Sequence, residues 1–111
     1  DVAALLQAAD IFVCPSRHEP LGNVVLEAWA QSVPVVAADS YGPGTLIEHL
    51  VSGVLVPIDD PMMLAKAIRL VIEDDRLNAD ISRQGRAAYE AKYTEFAVVS
   101  RYLQFFQEIL A

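Results

Sequence analysis

The stretch Pro15-Ser16-Arg17-His18-Glu19-Pro20-Leu21-Gly22-Asn23-Val24-Val25-Leu26-Glu27-Ala28 decides how this chain folds. Just before it stands Ile11-Phe12-Val13-Cys14, an apolar run closed by Pro15, the pattern of a strand buried on both faces. Asn23 is suited to cap a helix running through Trp29 to about Gln31. Then comes Pro34-Val35-Val36-Ala37-Ala38, a second buried strand. Strand, turn, helix, strand is the unit of a parallel sheet, because parallel neighbours need a long crossover. The turn holds Glu19, the helix holds Glu27, and Gly22 lies between them. At the carboxyl end of a parallel sheet, that set suits a polar, phosphorylated ligand.

Outward from this unit, Val2 to Ala9 reads as a short helix ending before Asp10. Asp39-Ser40-Tyr41-Gly42-Pro43-Gly44 reads as the loop at the end of the second strand. Thr45 to Leu50 gives a helical turn or two, and Gly53-Val54-Leu55-Val56-Pro57 a third short strand. Asp60-Pro61 is a start signal, with aspartate as cap and proline at the first helical position. The helix it opens carries Leu64, Ala67, Ile68, Val71 and Ile72 as a stripe, and Asp74-Asp75 ends it beside Arg76. A weaker helix covers about Leu77 to Ala91, with Gly85 unfavourable in its interior. Thr94 caps a last amphipathic helix with Phe96, Val99, Leu103, Phe106 and Leu110 on one side.

The fold class is therefore α/β: a Rossmann-like parallel sheet flanked by helices over residues 1–60, with a helical C-terminal tail over 61–111. Three strands are few for a free-standing doubly wound sheet, and the chain opens inside a helix. The expectation is the second half of a larger nucleotide-binding lobe.

Composition narrows the function classes. The 111 residues make at most one domain, and 54% hydrophobic content excludes a disordered tail. No apolar run approaches the roughly 20 residues that cross a bilayer, and the first residues lack the features of a signal peptide. The single cysteine, Cys14, reads as a buried, inert thiol, which favours a reducing cytoplasm. The first sixty residues hold eight acids against one cation, Arg17, whereas the remainder balances seven acids with seven bases. That distribution excludes a basic nucleic-acid footprint. It also means that a diphosphate bound in the first half needs cations from outside the chain.

Taken singly, several residues read as structural. Glu19 alone is a solvated turn residue and Glu27 a helix-surface acid. Arg17 and His18 either line the cleft or lie on the surface. His49 belongs to a solvated helix end, and Trp29 packs under the sheet rather than stacking a base. Asp59-Asp60 and Asp74-Asp75 are not read as a metal site, since Asp60 is explained as a cap.

In order along the chain, Ala9-Asp10-Ile11-Phe12-Val13-Cys14-Pro15-Ser16, Glu19-x-x-Gly22, Glu27-Ala28 and Pro34-Val35-Val36-Ala37 resemble the retaining glycosyltransferases of family four, with the GT-B fold. Gly53-x-Leu55-Val56-Pro57, Asp60-Pro61 and Leu64-Ala65 extend the likeness over nearly the whole chain. The resemblance implies transfer of a hexose from a UDP-, GDP- or ADP-sugar to a glycan, lipid or small acceptor, with retained configuration and no essential metal or other cofactor. It implies that Glu19 contacts the donor sugar hydroxyls and serves catalysis by stabilising charge in the transition state, and that Glu27 accepts from the ribose hydroxyls. The turn Leu21-Gly22-Asn23-Val24 would offer amides to sugar and phosphate. The family's phosphate-binding Arg–Lys pair would lie upstream, with an acceptor-binding N-terminal lobe, and the parent would be cytoplasmic or peripheral to the inner membrane face. Two departures stand out: Pro20 where relatives carry glycine, and Tyr41-Gly42-Pro43-Gly44-Thr45 where they carry a Gly-Gly-x-Pro-Glu loop. Rival readings are another GT-B enzyme, an epimerase or phosphorylase, and a non-catalytic packing module.

Overall fold

The computed structural model describes residues 2–18 and 22–110. Strands β1 (Phe12–Cys14), β2 (Val35–Ala38) and β3 (Val54–Val56) form one parallel sheet in the order β1-β2-β3. Phe12 pairs with Val35 and Cys14 with Ala37, while Val36 pairs with Val54 and Ala38 with Val56. Helices α1 (Val2–Ala8), α2 (Asn23–Ala30), α3 (Tyr41–Leu46) and α4 (Pro61–Glu73) surround the sheet, and α5 (Asp75–Lys92) and α6 (Glu95–Leu110) follow. The α/β class and the helical tail are both present.

The alternation of side chains along β2 sorts the core into two layers. Val35 and Ala37 join Leu6, Val25, Ala28, Trp29 and Ile47 on one face. Val36 joins Val54, Val56, Ala67, Val71 and Ile81 on the other. β2 is buried throughout, as its unbroken apolar run requires. β1 is not: Phe12 and Val13 are only half-buried and Cys14 alone is buried. Its apolar sequence overstated the cover because β1 has a strand on one side only among the described residues.

Asp60 caps α4 as expected, accepting from the Met63 N–H at 3.0 Å, with Pro61 at the first helical position. The first turn of α3 includes Gly42, Pro43 and Gly44, where the sequence suggested a loop. Pro43 is the third residue of that helix, where a missing N–H forfeits no intrahelical bond. Asp74 both ends α4 and caps α5, accepting from the Leu77 N–H at 3.0 Å, so α5 starts two residues earlier than its apolar pattern. His49 is a loop residue, bridged to Gly53 and accepting from the Leu55 N–H at 3.0 Å, rather than a helix end.

Gly85 has a packing reason. A Cβ there would stand 2.5 Å from Cδ1 and Nε1 of Trp29, so only glycine lets α5 lie this close to α2. Trp29 is 1% exposed, donates its indole N–H to the Ser52 carbonyl at 3.2 Å and packs against Tyr93. It is a core residue, as the sequence indicated. Arg86 of α5 donates to the Ala30 carbonyl at the end of α2, where a cation suits the helix terminus.

Candidate functional site

In a parallel sheet all strands end on the same rim, and here β1, β2 and β3 lead there into the starts of α2, α3 and α4. Residues 15–18 and Gly22 thus lie at the same rim as Asp39-Ser40 and Pro57-Ile58-Asp59-Asp60. The Asp39 N–H donates to the Val56 carbonyl at 2.8 Å, tying the second loop to the third strand. A cleft of about 150 Å³ opens at this rim, with Pro15, Ala38 and Val56 at the strand ends and Pro61 and Leu64 on α4.

Gly22 precedes α2 in the left-handed conformation, φ 67°. Its carbonyl accepts from the Val25 N–H at 3.0 Å and the Leu26 N–H at 3.3 Å. A side chain here would be strained by the backbone. It would also meet Leu46 Cδ1 at 2.6 Å and the Gly42 carbonyl at 3.2 Å. Gly22 is buried, and it lets the start of α2 abut the first turn of α3. The cap is therefore Gly22, and Asn23 is already the first helical residue, with an exposed side chain making no cap bond. The expected role of Asn23 as cap fails because the positive φ at Gly22 turns the chain into the helix one residue earlier.

The first-turn amides, including those of Asn23 and Val24, are the donors a helix leaves without internal acceptors. They carry the positive end of the helix dipole toward the rim. Glu27 follows Asn23 by four residues, so the two share one exposed side of α2, while Val25, Ala28 and Trp29 face the core. Because Cα–Cβ bonds tilt toward a helix N-terminus, the Glu27 side chain leaves the backbone in the direction of the same rim. Glu19 and Leu21 lie outside the described residues, as does Pro20.

Charge at the rim is mostly negative, from Asp39, Asp59 and Asp60 in the loops after β2 and β3. Arg17 is exposed and its guanidinium pairs with Asp59, 42 residues away. Sequence reasoning treated Arg17 and Asp59 separately, and no local signal joins residues so far apart. Thr45 donates its hydroxyl to the Tyr41 carbonyl at 2.6 Å and so closes α3 on itself. His18 is exposed, and its N–H donates to Ser16 Oγ at 3.3 Å. The described residues contain no cluster of three potential metal ligands.

The profile of the family described as "Glycosyl transferases group 1" matches residues 1–108. The lipopolysaccharide core biosynthesis glycosyltransferase LpsE of Rhizobium meliloti is 38% identical over 104 residues, covering 94% of this chain and 31% of that protein. A D-inositol 3-phosphate glycosyltransferase of Salinispora arenicola is 37% identical over 111 residues, covering 100% of this chain and 25% of the relative. Among solved structures, Anabaena HepE in complex with UDP-glucose superposes with a TM-score of 0.86 at 29% identity, over 96% of this chain and 30% of that one. The C-terminal domain of the group 1 protein LpcC from Francisella tularensis superposes with a TM-score of 0.78 at 28% identity, over 83% of this chain and 47% of that domain. The chain thus spans about a third or less of the curated relatives named here.

Proposed function

Because this chain belongs to the Glycosyl transferases group 1 family, we propose that it supplies the nucleotide-sugar side of a retaining, family-four transferase. The whole protein then moves a hexose from a UDP-, GDP- or ADP-sugar to a glycan, lipid or small acceptor. One observation carries this reading: a glycine-started helix at the carboxyl rim of a parallel sheet, with Glu27 one turn along on its exposed side. The likeness to HepE, solved with UDP-glucose, supports the choice of ligand class.

The chemistry follows from the parts. Helix-start amides of α2 stabilise the diphosphate as it departs with developing negative charge. Glu27 holds the cis diol of the ribose, since a carboxylate accepts two hydroxyl donors at once. Glu19 positions the donor sugar and stabilises charge at the transition state. It is not assigned as a glycosidase-type nucleophile, because its partner acid belongs at the ribose rather than the anomeric carbon. The reaction needs no essential metal on this reading. The remaining cations and the acceptor site come from an N-terminal lobe, in a cytoplasmic enzyme.

Kinetics of the whole enzyme test the assignment. Glu27→Ala should raise the donor KM by about tenfold, the worth of hydrogen bonds to a charged group. Glu19→Ala should leave KM nearly unchanged and lower kcat by about a hundredfold, the scale of a lost transition-state contact. Wild-type constants in both variants would remove the site. Proton NMR of the product reads retention directly, and an inverted anomer would reject the family-four mechanism. A rate abolished by EDTA would reject the metal-free reading.

A further inference from the structure

The donor site needs positive charge, and the first sixty residues hold one cation, Arg17. Arg17 stands between β1 and α2 in the chain, and its guanidinium reaches Asp59 in the loop after β3. β1 and β3 are separated by β2. Two strand spacings put them about 10 Å apart, so the ion pair bridges the rim beside the cleft where Ala38 ends β2.

The pair is poorly built as a structural clamp. Arg17 and Asp59 are 62% and 54% exposed. Exposed pairs of this kind contribute under about 1 kcal/mol. The ion pair is a single Nη2–Oδ2 contact rather than a bidentate fork. Asp59 is fixed in a turn at φ 58°, and its neighbour Asp60 is committed to capping α4. Arg17, by contrast, has a long stem and further N–H donors to offer.

We propose that Arg17 is a further donor-binding residue and that Asp59 is its resting counter-ion. On donor binding the guanidinium exchanges the Asp59 carboxylate for a phosphate oxygen. The exchange trades a weak exposed pair for a charge-assisted, bidentate-capable one at a site already favoured by helix-start amides. This inference rests on the donor-site reading above. It predicts that the two partners have opposite effects, because Arg17 binds the ligand whereas Asp59 competes with it.

Isothermal titration of the whole enzyme with UDP, GDP and ADP provides the test, using the nucleotide that saturates the wild type. Arg17→Ala should weaken binding by about tenfold, and Arg17→Gln likewise. Asp59→Asn should tighten it by about threefold. In the Arg17→Ala background, Asp59→Asn should do nothing, because the competitor acts only through the arginine. Weakening by Asp59→Asn would overturn the exchange and make the pair a clamp. Equal tightening in both backgrounds would overturn it as a general charge effect. Unchanged binding in Arg17→Ala and Arg17→Gln would overturn it outright. If none of the three nucleotides binds the wild type, the donor-site reading itself fails.

Discussion

α5 and α6 follow one another, and both are amphipathic, yet one is anchored and the other is not. α5 touches both core layers: Leu77 and Ile81 join the layer under α4, and Ala88 and Tyr89 join the layer around Trp29. α6 has the more apolar face but no buried residue, and Leu103, Phe106 and Leu110 are all exposed. An open groove of about 690 Å³ runs where α6 leaves α5, between Tyr93 and Phe96. Periodicity decides that a helix forms, but a gap in its surface decides how closely it packs. In α5 that gap is Gly85, the residue that intrinsic propensity marks as unfavourable.

The largest expected effect therefore lies at the α2–α5 contact. Trp29→Ala removes a side chain that is 1% exposed and leaves Gly85 facing a void. Truncation of a buried aromatic should destabilise the fold by about 3–5 kcal/mol, read as a lower midpoint in urea unfolding. A loss under about 1 kcal/mol would mean that the anchor of α5 lies elsewhere.

Gly85→Ala is the sharper probe, because propensity and packing disagree in sign. A helix interior gains about 1 kcal/mol from alanine over glycine. The new methyl would meet the Trp29 indole at 2.5 Å, and Trp29 is itself enclosed. Overpacking of this kind commonly destabilises by about 1–3 kcal/mol, so the net effect should be a loss. A raised unfolding midpoint would show that Trp29 can yield, and α5 would then be no better seated than its sequence pattern implies.

The same contrast explains what could be read from the sequence. β2, the Asp60-Pro61 start and the Thr94 cap were legible because each signal is local: an apolar run, or a side chain three residues from its amide. The start of α3 was not legible, because Gly42-Pro43-Gly44 reads as a loop unless the proline falls in a first turn. Gly85 looked like a weakness because its partner, Trp29, is 56 residues away. At the candidate site, the order of strand, turn and helix was legible, and the structure has Gly22 and Asn23 at the start of α2 with Glu27 on its exposed side. It changed which residue caps α2. The Arg17–Asp59 pair was out of reach, because long-range charge pairing leaves no period or spacing to read.

The smallest expected effect is on α6. Leucine and glutamine have nearly equal helix propensity, so Leu103→Gln alters the apolar face while leaving helix formation almost untouched. Leu103 is 58% exposed, and it belongs to neither core layer. An exposed substitution away from packed features stays within about 0.5 kcal/mol, so the urea midpoint of this chain should barely move. The equivalent change in α5, Ile81→Gln, would place an amide where the isoleucine is fully buried and should unfold the chain far more readily. If Leu103→Gln instead destabilised by more than about 1 kcal/mol, the apolar face of α6 would be covered in the folded protein. Equal exposure of the two states, native and unfolded, is what makes a large side chain energetically silent; on that measure Leu103 should be silent and Gly85 should not.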